Sequence, residues 1–326
     1  MTAGDNASAA PRVWSDAELA REAQLALDEF VERRLAEPGG RYIEHLKDRR
    51  AAIVGLFKSL RGTDPLAPDP GVIRDILRDP ELFDALRYVA GPPVSEDDLG
   101  VLVTRRITGL RRSDLVDNDA LTTDVLKLIC RLADPWRFPW IAASRRPAAR
   151  ELRRAIESTS TLHAAQSLQT ERRGHGRRVE QRLEERLVAL GFHKISRQSA
   201  KDAVHRFPPN GKIVQPSHHP VWPNFFGECT VYGRKVDLFI ALATGRMIAL
   251  EAKDSSSALN STKRLLNDTA AKARHYQEQA GKNVVSVALL SGVFKLQDLR
   301  KAQAAGLYLV WAHDMDGFID WIASQI

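Results

Sequence analysis

The chain of 326 residues is long enough for two ordinary domains, and its 44% hydrophobic and 27% charged residues are typical of a folded globular protein. No apolar run approaches the roughly 18 residues of a membrane span, and the first residues lack the basic and apolar segments of a signal peptide. The two cysteines, Cys130 and Cys229, match neither a metal-binding spacing nor a disulfide framework. We therefore expect a cytoplasmic protein without a membrane segment.

The net charge of +7 is unevenly distributed along the chain. Residues 171–326 contain 23 Lys and Arg against 15 Asp and Glu, whereas residues 1–170 contain 25 against 26. A basic field confined to one half of a protein favours a polyanion such as nucleic acid as its partner. A basic surface that serves solubility is the alternative that charge alone leaves open.

The first half of the sequence reads as helices separated by proline-containing breaks. Ser15 and Glu18 have the spacing of a capping box, and Trp14 and Leu19 have the spacing of a hydrophobic staple. Further helical patterns follow at 41–60, 72–91, 119–133 and 147–169. We predict an all-α N-terminal domain over residues 1–168.

The second half of the sequence mixes helices and strands. An amphipathic helix ends at Gly191, and residues 197–224 are predicted to be a polar, proline-rich loop. A hairpin comes next, followed by a basic helix near 261–280 and then by strand, helix, strand and helix. This order predicts a mixed α/β domain over residues 169–326.

The hairpin "VDLFIALATGRMIALEAK" carries three charges in an otherwise apolar segment. Glu251 and Lys253 are two residues apart on one strand, so they share a face. A three-residue loop over 243–245, with Gly245 in the left-handed conformation, places Asp237 opposite Glu251. A loop of two or four residues would send Asp237 to the other face.

Two carboxylates and a lysine in this arrangement suit metal-assisted hydrolysis of a phosphodiester. Asp237 and Glu251 provide the hard oxygen ligands that Mg²⁺ prefers, and the carbonyl of Ala252 is a candidate for a further ligand. Lys253 beside them can orient or deprotonate the attacking water and stabilise negative charge. A solvated charge pair and a buried ion pair are the alternative interpretations.

The sequence also resembles a known enzyme family. The elements "VD", a turn and "LEAK" resemble the core motif of PD-(D/E)XK nucleases, with Val236 in place of the usual proline. The segment "EAKDSSSALNSTKRLLND", at residues 251–268, is similar to the region of XamI-type restriction endonucleases that ends in Asn-Ser-x-Lys-Arg. Segments near residue 90 and near the C-terminus resemble the same family.

The resemblance implies an α/β fold, in which a PD-(D/E)XK nuclease core with a mixed sheet flanked by helices follows the all-α domain. It implies a homodimeric type II restriction endonuclease that cuts double-stranded DNA at a short palindrome with Mg²⁺. Relatives of the family suggest the palindrome GTCGAC. A cognate DNA methyltransferase would protect the host's own sites.

The resemblance also assigns roles to individual residues. Asp237 and Glu251 would bind the metal, and Lys253 would act on the attacking water. Glu180, on the first core helix, is the candidate for an additional metal ligand, although a solvated surface role competes with it. The resemblance gives no role to Asp254, the acid that follows the lysine.

Two groups of residues are candidates for DNA contacts. The first group lies between the catalytic strand and the next helix and consists of Asn260, Ser261, Lys263 and Arg264. These residue types can bind phosphates or read base edges, and an ordinary polar helix start is the alternative. Arg177 and Arg178 are interpreted as phosphate contacts or as a solvated helix start.

Two other functions use the same residues. One is a structure-selective repair or junction nuclease built on the same core, and the other is a DNA-binding protein without catalytic activity. The large helical domain and the Asn-Ser-x-Lys-Arg segment favour the restriction endonuclease over the repair nuclease. The complete set of Asp237, Glu251 and Lys253 argues against a pure binder, since two carboxylates beside DNA phosphate would weaken binding.

Overall fold

The computed structural model describes residues 10–62, 69–105, 112–116, 118–195, 209–257 and 262–326. The chain divides into two compact units, Met1–Leu35 with Arg173–Ile326, and Ala36–Arg172. This division differs from the predicted boundary between residues 168 and 169, chiefly because the first helix belongs to the same unit as the C-terminal half.

The first helix, α1 (Asp16–Ala36), begins with the predicted capping box. The backbone N–H of Ser15 donates to Glu18 Oε2 at 2.8 Å, and the backbone N–H of Glu18 donates to Ser15 Oγ at 3.4 Å in return. Trp14 donates its indole N–H to the carbonyl of Leu309 at 2.8 Å, and Leu19 is fully buried in the same apolar cluster as Trp311. The apolar side chains that bracket the helix start therefore pack against the C-terminal part of the chain.

The Ala36–Arg172 unit is helical, which confirms the predicted class of this region. Its helices are α2 Arg41–Ser59, α3 Pro70–Arg78, α4 Pro80–Arg87, α5 Glu96–Thr104, α6 Arg112–Val116, α7 Asp119–Leu132, α8 Pro139–Ala142 and α9 Ala149–Arg173. Asp69 and Asp79 cap α3 and α4, each immediately before a proline at the first helical position. None of the helices in the described residues is long and apolar enough to cross a membrane.

The other unit contains a six-stranded mixed sheet and a small three-stranded sheet. The strands are β1 His193–Ile195, β2 Lys212–Ile213, β3 Asn224–Phe226, β4 Cys229–Val231, β5 Arg234–Val236, β6 Leu238–Ala241, β7 Met247–Ser255, β8 Val284–Gly292 and β9 Tyr308–Trp311. The large sheet has the order β1-β3-β6-β7-β8-β9, and the small sheet has the order β2-β4-β5. The β6–β7 pair is antiparallel, whereas β7–β8 and β8–β9 are parallel.

The prediction of one continuous loop over 197–224 is wrong where the structure describes that segment. Lys212 and Ile213 form β2, which pairs in parallel with β4, and Asn224 begins β3. A two-residue strand has no periodicity of its own, and its partner strand is distant in the sequence, since Lys212 pairs with Thr230. Residues 196–208 lie outside the described part of the chain.

Helices cover both faces of the large sheet, as a mixed α/β fold requires. The remaining helices are α10 His175–Ala189, a π-helix at Lys263–Ala270, α11 Ala271–Ala280, α12 Leu296–Ala304 and α13 Asp316–Ala323. On one face, α10 and α13 pack against Leu250 and its neighbours, and on the other face α1 and α12 pack against Leu290 and its neighbours. The central strands β7 and β8 are therefore buried on both sides.

The hairpin β6–β7 adopts the predicted register. Leu242 donates its N–H to the carbonyl of Arg246 at 2.9 Å, and Gly245 has φ of 78°, so the loop is the expected three-residue one. Leu238 pairs with Leu250 at the far end of the ladder. Because side chains alternate along a strand, this register brings Asp237 beside Glu251.

Gly292 at the end of β8 should tolerate a side chain far less well than Gly245. Both glycines have positive φ, but a Cβ at Gly292 would lie 2.0 Å from the carbonyl oxygen of Ser255, whereas a Cβ at Gly245 would meet nothing within 4 Å. Gly245→Ala should lower the free energy of unfolding by about 1 kcal/mol, and Gly292→Ala by about 3 kcal/mol or more, in urea denaturation. Equal losses for the two variants would contradict this account of the β7–β8 contact.

Candidate active site

The three charges of the hairpin lie at and beside the part of β7 where its residues become half-buried, at 252–254. Glu251 and Lys253 are on β7, and Asp237 lies between β5 and β6, where the chain passes from the small sheet to the large one. Glu251 is only 5% exposed. A carboxylate so far removed from water needs partners that offset its loss of hydration.

The side chain of Asp237 is hydrogen-bonded to the backbone of β7. The N–H of Ala252 donates to Asp237 Oδ2 at 2.7 Å, and the N–H of Asp237 donates to the carbonyl of Leu250 at 3.0 Å. Burial and the nearby charge of Glu251 raise the pKa of Asp237 above its usual range. The raised pKa is the electrostatic signature of two carboxylates sharing one low-dielectric site.

Glu251 is held between two ammonium groups. Lys253 Nζ lies 2.6 Å from Glu251 Oε2, and Lys272 Nζ lies 2.6 Å from Glu251 Oε1. Asp268 joins the same group, at 3.2 Å from Lys253 Nζ and 3.4 Å from Lys272 Nζ. Lys272 also donates to the carbonyl of Lys235 at 2.9 Å. Glu251, Lys253, Asp268 and Lys272 thus form a closed ring in which acid and base alternate.

These contacts set the protonation state of Lys253. Burial lowers the pKa of Lys253, but the charges of Glu251 and Asp268 outweigh that effect and the pKa is raised overall. Burial likewise raises the pKa of Asp268, and the two lysines outweigh it and lower the pKa. Lys253 therefore carries its proton at neutral pH and acts in this arrangement as a hydrogen-bond donor.

Glu180 on α10 belongs to the same acidic environment. Burial, and after it the charge of Asp237, raises the pKa of Glu180 to about 7. Glu180 is partly buried, whereas Glu185 on the same helix is exposed. The interpretation of Glu180 as a solvated surface residue does not agree with this burial.

Asp254 lies on the face of β7 opposite Lys253 and has a different set of neighbours. Arg33 on α1 approaches it, with Nη2 at 3.9 Å from Asp254 Oδ1. His175, at the start of α10, contacts the guanidinium of Arg33 and lies 3.2 Å from the hydroxyl of Ser291 on β8. Asp254 therefore contributes to the contacts between α1, α10 and the sheet and does not face Lys253.

Comparison with known proteins identifies the family. The family model described as XamI restriction endonuclease matches residues 71–311 of this chain. The chain belongs to the XamI restriction endonuclease family. It is 33% identical over 278 residues to the type II restriction enzyme XamI of Xanthomonas campestris pv. amaranthicola, a match that covers 84% of this chain and 94% of the relative. No solved structure matches the chain at a significant level.

The region that matches the XamI family contains every predicted site residue, but the structure describes only part of the predicted DNA contacts. Arg177 and Arg178 are exposed in the first turn of α10. Asn260 and Ser261 lie outside the described part of the chain, and so do the side chains of Lys263 and Arg264. All six assignments to DNA binding remain predictions.

Sequence reasoning missed two members of the site, Asp268 and Lys272. They are four residues apart, and they lie on the π-helix and on α11, which follow β7 in the chain. That spacing allows an acid and a base to meet on one side of a helix, which is a weak signal in any sequence. Their approach to Glu251 depends on how the helix packs against β7.

The described oxygen atoms that could bind a metal form an incomplete coordination shell. In the part of the chain that the structure describes, no three His, Cys, Asp or Glu side chains converge as a metal-binding group. The available donors are the carboxylates of Asp237 and Glu251 and the carbonyl of Ala252, with Glu180 nearby. Burial, and after it the charge of a neighbouring carboxylate, raises the pKa of both Asp237 and Glu180, and a bound divalent cation would oppose that rise. This donor set fits a hard cation.

Glu180 should make the stability of the protein depend on pH. Because folding raises the pKa of Glu180 from 4.5 to about 7, the folded state retains a proton that the unfolded state releases in this window. The free energy of unfolding should therefore fall as pH rises through the window, and Glu180→Gln should reduce that fall. Urea denaturation across the window tests this, with Glu185→Gln as the exposed control. Equal pH dependence in wild type and Glu180→Gln would contradict the assignment.

Lys272 should be energetically coupled to Glu251. A double-mutant cycle with Lys272→Met and Glu251→Gln should give an interaction free energy of about 1–3 kcal/mol, since both groups are buried and in direct contact. Urea denaturation of the two single variants and the double variant provides the measurement. If the losses in unfolding free energy of the two single variants simply add in the double variant, the contact contributes nothing to stability.

Proposed function

We propose that this member of the XamI family is a Mg²⁺-dependent type II restriction endonuclease. It hydrolyses phosphodiester bonds of double-stranded DNA at a short palindromic sequence. The observation that carries the proposal is the convergence of Asp237, Glu251 and Lys253 at the half-buried segment of an otherwise buried strand. Membership of a restriction endonuclease family supports the same reaction.

The proposed fold of the catalytic unit is the PD-(D/E)XK nuclease core. In support, an antiparallel hairpin leads into two parallel strands, in the order β6, β7, β8 and β9, with helices on both faces. The acid before the hairpin and the Glu-x-Lys on its second strand have the positions of the motif. Val236 replaces the usual proline, and it ends β5 with its side chain fully buried.

Asp237, Glu251 and the carbonyl of Ala252 would hold the Mg²⁺ ion. When bound, the ion supplies an activated water and neutralises charge that develops on the phosphorus oxygens. The N–H of Ala252 orients the Asp237 carboxylate at 2.7 Å, so this acid is in position before the ion binds. Lys272 Nζ, 2.6 Å from Glu251 Oε1, holds the second carboxylate in place.

Lys253 would orient the attacking water and stabilise the negative charge of the transition state. Its raised pKa keeps the side chain protonated, which favours donation of a hydrogen bond over abstraction of a proton. Glu180, with a pKa raised to about 7, holds a proton in a substantial part of the molecules at neutral pH. This side chain is our candidate for a proton carrier or an additional metal ligand beside Asp237.

Two partners follow from the proposed reaction. A palindromic site presents the same sequence on both strands, so a homodimer with twofold symmetry would engage both halves equally. A DNA methyltransferase of the same system would modify the host's sites, because an unprotected genome would be cut. The proposed contacts of Arg177 and Arg178 with phosphate are sequence-independent.

The decisive experiment is digestion of a plasmid of known sequence, carrying GTCGAC, by the purified full-length protein. With Mg²⁺ we expect discrete fragments whose ends define the target, and with EDTA we expect none. Glu251→Gln and Asp237→Asn should each reduce the cleavage rate by about 10²- to 10⁴-fold, while DNA binding in EDTA is retained. Glu185→Gln, an exposed change of the same kind on α10, should cleave like wild type.

The same assay separates the proposal from the other two functions. Cleavage at branched or damaged DNA without a fixed sequence would indicate the repair or junction nuclease. Intact DNA binding with no cleavage under any metal would indicate a binding protein in which Asp237 and Glu251 are structural charges. Either result would contradict the proposal.

A further inference from the structure

The helical unit Ala36–Arg172 contains a local excess of positive charge that the proposed function does not use. The unit as a whole is nearly balanced, with 22 Lys and Arg against 20 Asp and Glu. The segment "RRPAARELRR", at residues 145–154, has five arginines and one glutamate. This segment includes the start of α9.

Many described arginines of this unit are paired with carboxylates. The paired ones are Arg41, Arg49, Arg50, Arg74, Arg78, Arg87, Arg137, Arg145 and Arg172. Arg145 takes the single acid of the basic segment, with Nη2 at 2.6 Å from Glu151 Oε1. The segment's own acid is therefore not available to the other arginines.

Arg146, Arg150 and Arg153 differ from these paired arginines. All three are exposed, and within the described ranges no carboxylate lies within 4.0 Å of their guanidinium groups. Three like charges in eight residues repel one another, so the arrangement adds nothing to the stability of the fold. A negatively charged ligand would supply the opposite charges that these arginines lack in the unbound protein, and it would relieve their repulsion.

An exposed aromatic ring contacts Arg154, which follows Arg153 on α9. Arg150, Arg153 and Arg154 are three and four residues apart, so they lie on one side of α9. Arg154 lies over the ring of Trp136 at 5.0 Å and donates to the Trp136 carbonyl at 2.9 Å. Trp136 is 66% exposed, which is unusual for so large an apolar side chain.

We propose that the arginine surface, defined as Arg146, Arg150, Arg153 and Trp136, binds the phosphate backbone of double-stranded DNA. The proposal rests on the proposed function in that duplex DNA is the substrate. Guanidinium groups match phosphate oxygens in geometry, and a duplex presents a dense row of such charges. The amphipathic Trp136 ring suits contact with the sugar edge of the backbone. The helical unit then holds substrate DNA without reading its sequence.

Salt dependence of DNA binding tests the surface directly. The full-length protein is titrated in EDTA with a short duplex that lacks GTCGAC, at several salt concentrations. Replacing Arg146, Arg150 and Arg153 together by Gln should weaken binding at low salt by about tenfold or more. The slope of log K against log salt should become shallower by about 0.9 for each phosphate that is no longer neutralised, and thus by up to about 2.7.

Two control variants exclude trivial explanations. Replacing Arg50, Arg74 and Arg78 by Gln changes the net charge equally in the same unit, but these arginines are already neutralised by acids. This variant should keep a slope close to that of wild type. A variant with Lys at the three surface positions retains the charges and should also keep most of the slope. Circular dichroism and thermal unfolding confirm that each variant is folded.

The outcomes distinguish failure of this proposal from failure of the proposed function. If the triple Gln variant binds with the wild-type slope, or if the paired-arginine variant is weakened as much, the DNA-binding surface is refuted even when wild type cleaves. An acidic protein would then be the partner to examine. If the triple Gln variant no longer binds and wild type cleaves no DNA, the surface is supported and the nuclease is refuted.

Discussion

The site depends on one constraint, which is that a carboxylate almost entirely removed from water must be matched by positive charge. Glu251 meets this requirement with Lys253 from its own strand and Lys272 from α11, each at 2.6 Å. Both lysines also contact Asp268. Because these groups belong to β7 and to the helical segment after it, the same ionic contacts attach that segment to the sheet. Folding and the arrangement of the proposed catalytic residues are therefore supported by one set of interactions.

The N-terminal helix adds contacts at the end of the same strand and on strand β9 of the same sheet. Arg33 on α1 approaches Asp254, and Trp14 at the start of α1 donates a hydrogen bond to Leu309 on β9. The alternation of side chains along β7 explains why neighbouring acids have such different partners. Glu251 and Lys253 face α11, whereas Asp254 faces the start of α10 and is approached by Arg33. An acid that the XamI family resemblance left without a role thus has a structural one.

The parts of the site that are close in sequence could be predicted. Gly245 has no Cβ to oppose a positive φ, so its position within the hairpin indicates the three-residue loop and the register. The register alone predicts Asp237 beside Glu251, and the observed hairpin has that pairing at Leu238 and Leu250. The short strands β1 to β5 were not predicted, since segments of two or three residues carry no detectable periodicity.

The sequence by itself determined the helical character of Ala36–Arg172, the mixed α/β class of the catalytic unit and the shared face of Glu251 and Lys253, because each follows from local periodicity. The XamI family motif is local for the same reason. Only the tertiary structure decided that Lys272 reaches Glu251, that Asp268 reaches both lysines, and that α1 packs with the C-terminal half. The burial that raises the pKa of Glu180 to about 7 is also a tertiary effect. Contacts between distant segments depend on how whole helices pack against a sheet, and no spacing within one segment encodes that packing.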